Sequence, residues 1–154
     1  MQDMKISPLI VAAMTWAVPC AAQATCVGHP GTAQINLEIS NVRSSKGRIA
    51  LTLYADDASK FLRKRGSLYV PRVDAVGPVT RACIFVPKPG YYALAVYHDE
   101  NANKKLDRTG IGLPAEGFGF TNNPKLFLSM PAFKSARLKV PAEGVLARIR
   151  LRYP

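Results

Sequence analysis

Val145-Leu146-Ala147-Arg148-Ile149-Arg150-Leu151-Arg152-Tyr153 sets Val145, Ala147, Ile149, Leu151 and Tyr153 on one side and three arginines on the other. Successive side chains of a strand point to opposite faces, so this period of two predicts a strand with one buried face. The same period recurs upstream. Ile35, Leu37 and Ile39 alternate with Asn36, Glu38 and Ser40, and after the turn-like Ser44-Ser45-Lys46-Gly47 the pattern resumes at Ile49, Leu51 and Leu53; the pair reads as a β-hairpin. Val79–Val86 is a further strand, closed by Pro87-Lys88-Pro89-Gly90. In Tyr91–Tyr97 both faces are apolar, which predicts a central strand.

Between these runs, Leu68–Pro78 reads as an edge strand, because Pro71 and Pro78 cannot donate to a central ladder. Asp56–Leu62 offers a capping residue and one short helical turn, and Lys125–Met130 and Ala136–Val140 read as short strands. Many short strands with Pro and Gly turns and little helix predict an all-β fold: a single antiparallel β-sandwich of about seven strands, immunoglobulin-like or transthyretin-like, over residues 34–154.

The N-terminus reads as a signal peptide over residues 1–24, with Lys5, an apolar run from Ile6 to Val18, and Ala22-Gln23-Ala24 as the cleavage site. Cys20 would suggest a lipid anchor, but Pro19 beside it fits that signal poorly. A periplasmic or secreted protein is expected, with residues 25–33 as an N-terminal arm and no transmembrane segment after cleavage. Cys26 and Cys83 then remain, and two readings stand: a disulfide tying the arm to a strand, or two free thiols with Cys83 buried.

The net charge of +11 survives removal of residues 1–24, which carry one Lys and one Asp. A basic exported protein meets anionic envelope components such as lipopolysaccharide, anionic phospholipid and peptidoglycan, and positive charge speeds association with each. The densest run is Lys60, Arg63, Lys64 and Arg65; such runs are either a polyanion site or a solvated face. Nucleic acid is not expected as a partner, since no aromatic-and-basic strand motif of a single-strand binder is present.

Asp99, Asn101, Asn103 and Asp107 stand at relative positions one, three, five and nine of a loop, the order in which a calcium loop supplies side-chain oxygens, with the Lys105 carbonyl expected at position seven. Lys104 replaces the usual Gly at position six and Gly110 the closing Glu at position twelve, and Lys104, Lys105 and Arg108 crowd two acidic ligands. Calcium would therefore bind weakly, with a dissociation constant on the order of 0.1 to 1 mM, and Glu116 is the candidate for a missing carboxylate. The other reading needs no metal: Asp and Asn build successive Asx-turns on backbone amides. No other cofactor is implied. Phe118 and Phe120, in a glycine-rich stretch without phosphate-loop context, are expected to fold onto the sandwich.

His98 beside Asp99, with Glu116, is the weak basis for a hydrolase. The chain has only two histidines, His29 and His98, and no nucleophile elbow around its serines, so no enzyme is expected.

The run from Pro87-Lys88-Pro89-Gly90-Tyr91 through Tyr97-His98-Asp99-Glu100-Asn101-Ala102-Asn103-Lys104-Lys105-Leu106-Asp107, followed by Gly112-Leu113-Pro114-Ala115-Glu116-Gly117-Phe118-Gly119-Phe120-Thr121-Asn122, resembles the exported bacterial family known as domain of unknown function 2141. The resemblance extends from about Ile35 to Tyr153. It implies export and a small β-rich domain, and it implies no activity. Thr121 stands where the family usually has Ser, which keeps the hydroxyl. Two functional expectations follow: a non-enzymatic envelope β-sandwich with a weak calcium loop and a structural or interaction role, or a basic carrier or receptor module that binds an anionic envelope component through Lys60–Arg65 and the arginines of the last strand.

Overall fold

The computed structural model describes residues 25–126 and 129–154, so the expected signal peptide lies outside the described residues. Among the described residues, eight strands form two sheets. The smaller has β1 (Ala33–Ser40) at its centre, antiparallel to β4 (Val79–Val86) and parallel to β8 (Val145–Arg150). In the larger, β2 (Arg48–Ala55) lies between the short edge strand β3 (Arg72–Asp74) and β5 (Gly90–Asp99). The far edge of β5 is shared: β6 (Phe118–Phe120) pairs near one end and β7 (Leu138–Val140) near the other.

The inward sets are those the alternation predicted. Ile35, Leu37, Ile39, Ile84, Val86, Ala147 and Ile149 from one sheet meet Ile49, Leu51, Leu53, Leu94 and Val96 from the other. At about 25 cal/mol per Å² of apolar surface removed from water, this interleaved layer is the main stabilising term. β5 is central, as its two apolar faces implied. Its outward Ala93 is buried beneath a second cluster of Tyr54, Phe61, Phe120, Phe133 and Ala136. The rings of Phe61 sit edge-on to Tyr54 and Phe133 at 5.1 and 5.6 Å.

Five local expectations are corrected. β1 and β2 are not a hairpin: they lie in different sheets, because Asn41 turns the chain at φ 61° and Val42 drops into the core between them. β1 and β8 run parallel rather than antiparallel, since the Pro141–Gly144 turn carries the chain from β7 in one sheet to β8 in the other. Asp56–Leu62 forms successive turns, not a helix. Asp57 Oδ1 accepts the Ser59 amide at 2.9 Å, but Leu62 and Arg65 adopt φ of 56° and 60°, which stops propagation. The helix α1 is instead Phe133–Ala136, where a strand start was expected at Ala136. In the expected strand Lys125–Met130, residues 125–126 and 129–130 are not in a strand, and the remaining two lie outside the described residues.

Cys26 and Cys83 are disulfide-bonded, with their Cα atoms 4.4 Å apart, so the arm is tied to β4. No helix among the described residues is long and apolar enough to cross a membrane.

Candidate functional site

The loop after β5 gathers Asp99, Asn101, Asn103, Asp107 and Glu116 into one hydrogen-bonded unit. Asp99 is fully buried at the strand end; its Oδ1 accepts the Asn103 amide at 2.9 Å and its Oδ2 the Lys104 amide at 2.8 Å. Asn101 Oδ1 accepts the Asn103 amide at 3.1 Å and Asn103 Oδ1 the Lys105 amide at 2.8 Å, each a two-residue Asx-turn. The carboxamide nitrogens of Asn101 and Asn103 donate to the two oxygens of Asp107, at 2.7 and 2.9 Å. Glu116, brought back by the Arg108–Pro114 bridge, accepts the amides of Glu100 and Asp107 at 3.3 and 3.1 Å. Burial, with Asp107 and Asp99 beside it, raises its pKa above the ordinary carboxylate value.

Calcium needs several oxygens converging on one point. Here Asn101 and Asn103 turn N–H groups, not oxygens, toward Asp107, and both Asp99 oxygens are committed to backbone amides. In this arrangement the oxygens do not converge: the carboxamides of Asn101 and Asn103 would have to rotate to present oxygens beside those of Asp107. Lys105 enters through its amide donating to Asn103. Ala102 and Lys104 hold φ of 56° and 66°, so the loop is wound tightly around the Asp99 carboxylate.

His98 points the other way, into the sandwich end. Its Nε2 donates to the Lys46 carbonyl and its Nδ1 is hydrogen-bonded to the Tyr153 hydroxyl, both at 2.8 Å, and the ring is fully buried. No hydrogen bond joins it to Asp99 or Glu116. Sequence reasoning overlooked what lies beyond: Tyr153 accepts the Arg43 amide at 3.2 Å, the Arg43 guanidinium lies 4.4 Å over its ring, and Arg43 grips Glu100, which also takes the Ser44 hydroxyl at 2.8 Å. Arg43 holds the Glu100 carboxyl well below its ordinary value of 4.5, at about 2. A lowered folded pKa stabilises above the unfolded value and is lost as pH falls through the folded one. Glu100 therefore contributes about 1–2 kcal/mol near neutrality, allowing for screening at half-exposed Arg43, and this disappears between pH 4.5 and about 2. Glu100→Gln is expected to flatten that limb of a urea-midpoint profile; an unchanged acid limb would refute the assignment. Glu116 runs oppositely: its contribution is present at low pH and lost as pH rises through its raised value.

The basic residues divide. Lys60, Arg63, Lys64 and Arg65 are exposed on the turns flanking the outer cluster of the larger sheet, with Lys60 paired to Asp57 at 3.7 Å. Arg148 projects from the outer face of the smaller sheet, where it and Arg81 flank Glu38 at 3.7 and 3.6 Å. Arg148 therefore sits on the smaller sheet and the Lys60–Arg65 run on the larger, while Arg150 and Arg152 line a hollow with Phe120 of the outer cluster. Lys104, Lys105 and Arg108, which had counted only against calcium, extend the exposed basic residues along the loop side.

No curated protein and no solved structure matches the chain. Residues 37–146 match the family described as uncharacterized proteins conserved in bacteria (DUF2141), and the chain belongs to that family.

Proposed function

We propose that the protein is an exported, non-enzymatic β-sandwich of the cell envelope that binds an anionic envelope component through basic side chains on the outer face of its larger sheet. The observation that carries this is how the charges are partnered. Among the described residues, Glu38, Asp56, Asp57, Asp74 and Glu100 each pair with Arg or Lys, and Asp99, Asp107 and Glu116 are spent on amides within the loop. Arg63, Lys64, Arg65, Lys104, Lys105 and Arg108 are exposed and have no ion pair among the described residues, so six of the charges behind the net +11 are presented outward there. The disulfide supports export, since such bonds persist in oxidising compartments. The Asp99–Asp107 loop, in this reading, is a metal-free turn network that holds one flank of the basic face in shape.

Binding to phosphatidylglycerol vesicles tests the proposal. It is expected to exceed binding to phosphatidylcholine vesicles and to fall steeply from ~0.1 M to ~1 M salt, as the Debye length shrinks from ~10 to ~3 Å. Replacing Arg63 and Lys64 by Ser should weaken it by about 2 kcal/mol, at roughly 1 kcal/mol for each basic residue at an anionic surface. Equal binding to neutral vesicles, or no salt dependence, would remove the proposal.

A further inference from the structure

Among the described residues, the outer face of the larger sheet is not fully covered. Thr52, Tyr54, Ala95 and Phe118 floor a pocket of about 260 Å³, walled by Leu62 on one side and Leu106 with Arg108 on the other. The two walls belong to the two basic segments: Leu62 sits within Lys60–Arg65, and Leu106 directly follows Lys104 and Lys105. Arg108 spends one guanidinium nitrogen on the Gly112 carbonyl at 2.8 Å. A second guanidinium lies beside the floor on the same face, since Arg72 and Tyr97 are both cross-strand partners of Ala50. Arg72 donates to the Tyr97 hydroxyl at 3.2 Å, Tyr97 also lines the pocket, and Arg72 Nε has no partner among the described residues. Beyond Arg108 and Phe118 a second hollow of about 450 Å³ continues toward Leu113, which is 56 % exposed.

An apolar floor between cationic walls suits a ligand that is apolar along its length and negative at one end. At ~30 Å³ per water-sized group, 260 Å³ accommodates on the order of nine heavy atoms, and the second hollow leaves room for more. A purely ionic partner would leave the aromatic floor unused, and a neutral one would leave Arg108 without a counter-charge. We infer that this pocket binds a single-chain anionic amphiphile, its alkyl chain over Ala95 and Phe118 and its carboxylate or phosphate head at Arg108. The inference rests on the anionic-component reading above and names the chemistry of the ligand.

Calorimetric titration of the purified protein with decanoate, below its micelle concentration, is the test, with decyl maltoside as the neutral probe. Saturable one-to-one binding of decanoate is expected, weakened about tenfold by Arg108→Ala, the equivalent of one charge-assisted hydrogen bond. Ala95→Phe, which fills the floor, should abolish it. If that variant does not fold, Thr52→Phe serves the same purpose from the neighbouring strand. Decyl maltoside bound as tightly as decanoate, decanoate binding that survives the filled pocket, or no decanoate binding at all would overturn the inference. If phosphatidylglycerol vesicles bind to wild type and Ala95→Phe alike while decanoate does not bind, the pocket fails and the basic face stands. If neither probe binds, both fall.

Discussion

Asp99→Ala is expected to lower the stability of the fold by about 3 kcal/mol, read as a shifted urea midpoint with an unchanged slope. The carboxylate is fully buried and takes two backbone amides at 2.9 and 2.8 Å. Hydrogen bonds to a charged acceptor are each worth about 1.5–3 kcal/mol, and water reaching the exposed outer part of the loop returns some of that loss. The backbone adds to the effect: Ala102 and Lys104 occupy left-handed conformations that the carboxylate holds from inside. Asp99→Asn keeps one acceptor oxygen, so roughly half the loss is expected. A decrease below about 1 kcal/mol for Asp99→Ala would show that the turns hold themselves. The same melts, in excess chelator and in millimolar calcium, decide between the two readings of the loop. The turn network predicts coincident curves. A calcium-selective rise in wild type that vanishes in Asp99→Ala and Asp107→Ala would establish a metal site instead.

The largest single loss is expected on removing the disulfide. Cys26 and Cys83 are 57 residues apart, and in the chain-entropy description a loop of that length is worth about 4 kcal/mol. The double variant Cys26→Ala, Cys83→Ala should therefore unfold at a much lower urea concentration. Cys83 is buried and its replacement leaves a small void, so Cys83→Ala should cost slightly more than Cys26→Ala, whose residue lies in the half-buried arm. Melts that coincide with and without reductant, after free thiols have been counted to verify cleavage, would show that the arm contributes no such constraint.

The strands were legible because their pattern is physical: Val145–Tyr153 and Ile35–Ile39 have period two since one face is dry, and Tyr91–Tyr97 is apolar on both sides since Phe61, Phe120 and Phe133 cover its outer face. Pairing was not legible. Period two says which side of a strand is buried, not which neighbour it meets, so the link through Val42 passed for a hairpin turn when it is a step between sheets. The Asp/Asn spacing pointed to residues that the fold does bring together, because both a cation and a run of amides select oxygens on a tight curve; the direction of the carboxamide nitrogens is what separates the two. Arg43 and Arg72 carried no local signal, and the inward side predicted for Tyr153 did not name its partners, since each acts on residues far along the chain.

The arm has one more consequence. Val27, next to the bonded Cys26, forms a parallel bridge to Ile84: its amide donates to the Cys83 carbonyl at 2.8 Å, and its carbonyl accepts the Phe85 amide at 3.0 Å. Those two groups lie on the rim of β4, which ends the smaller sheet. A free rim of this kind is a template on which another polypeptide can add a strand. Cleaving the Cys26–Cys83 bond would leave these two hydrogen bonds as the cover of this rim, and if they open in concentrated reducing solution, self-assembly is expected to begin at β4.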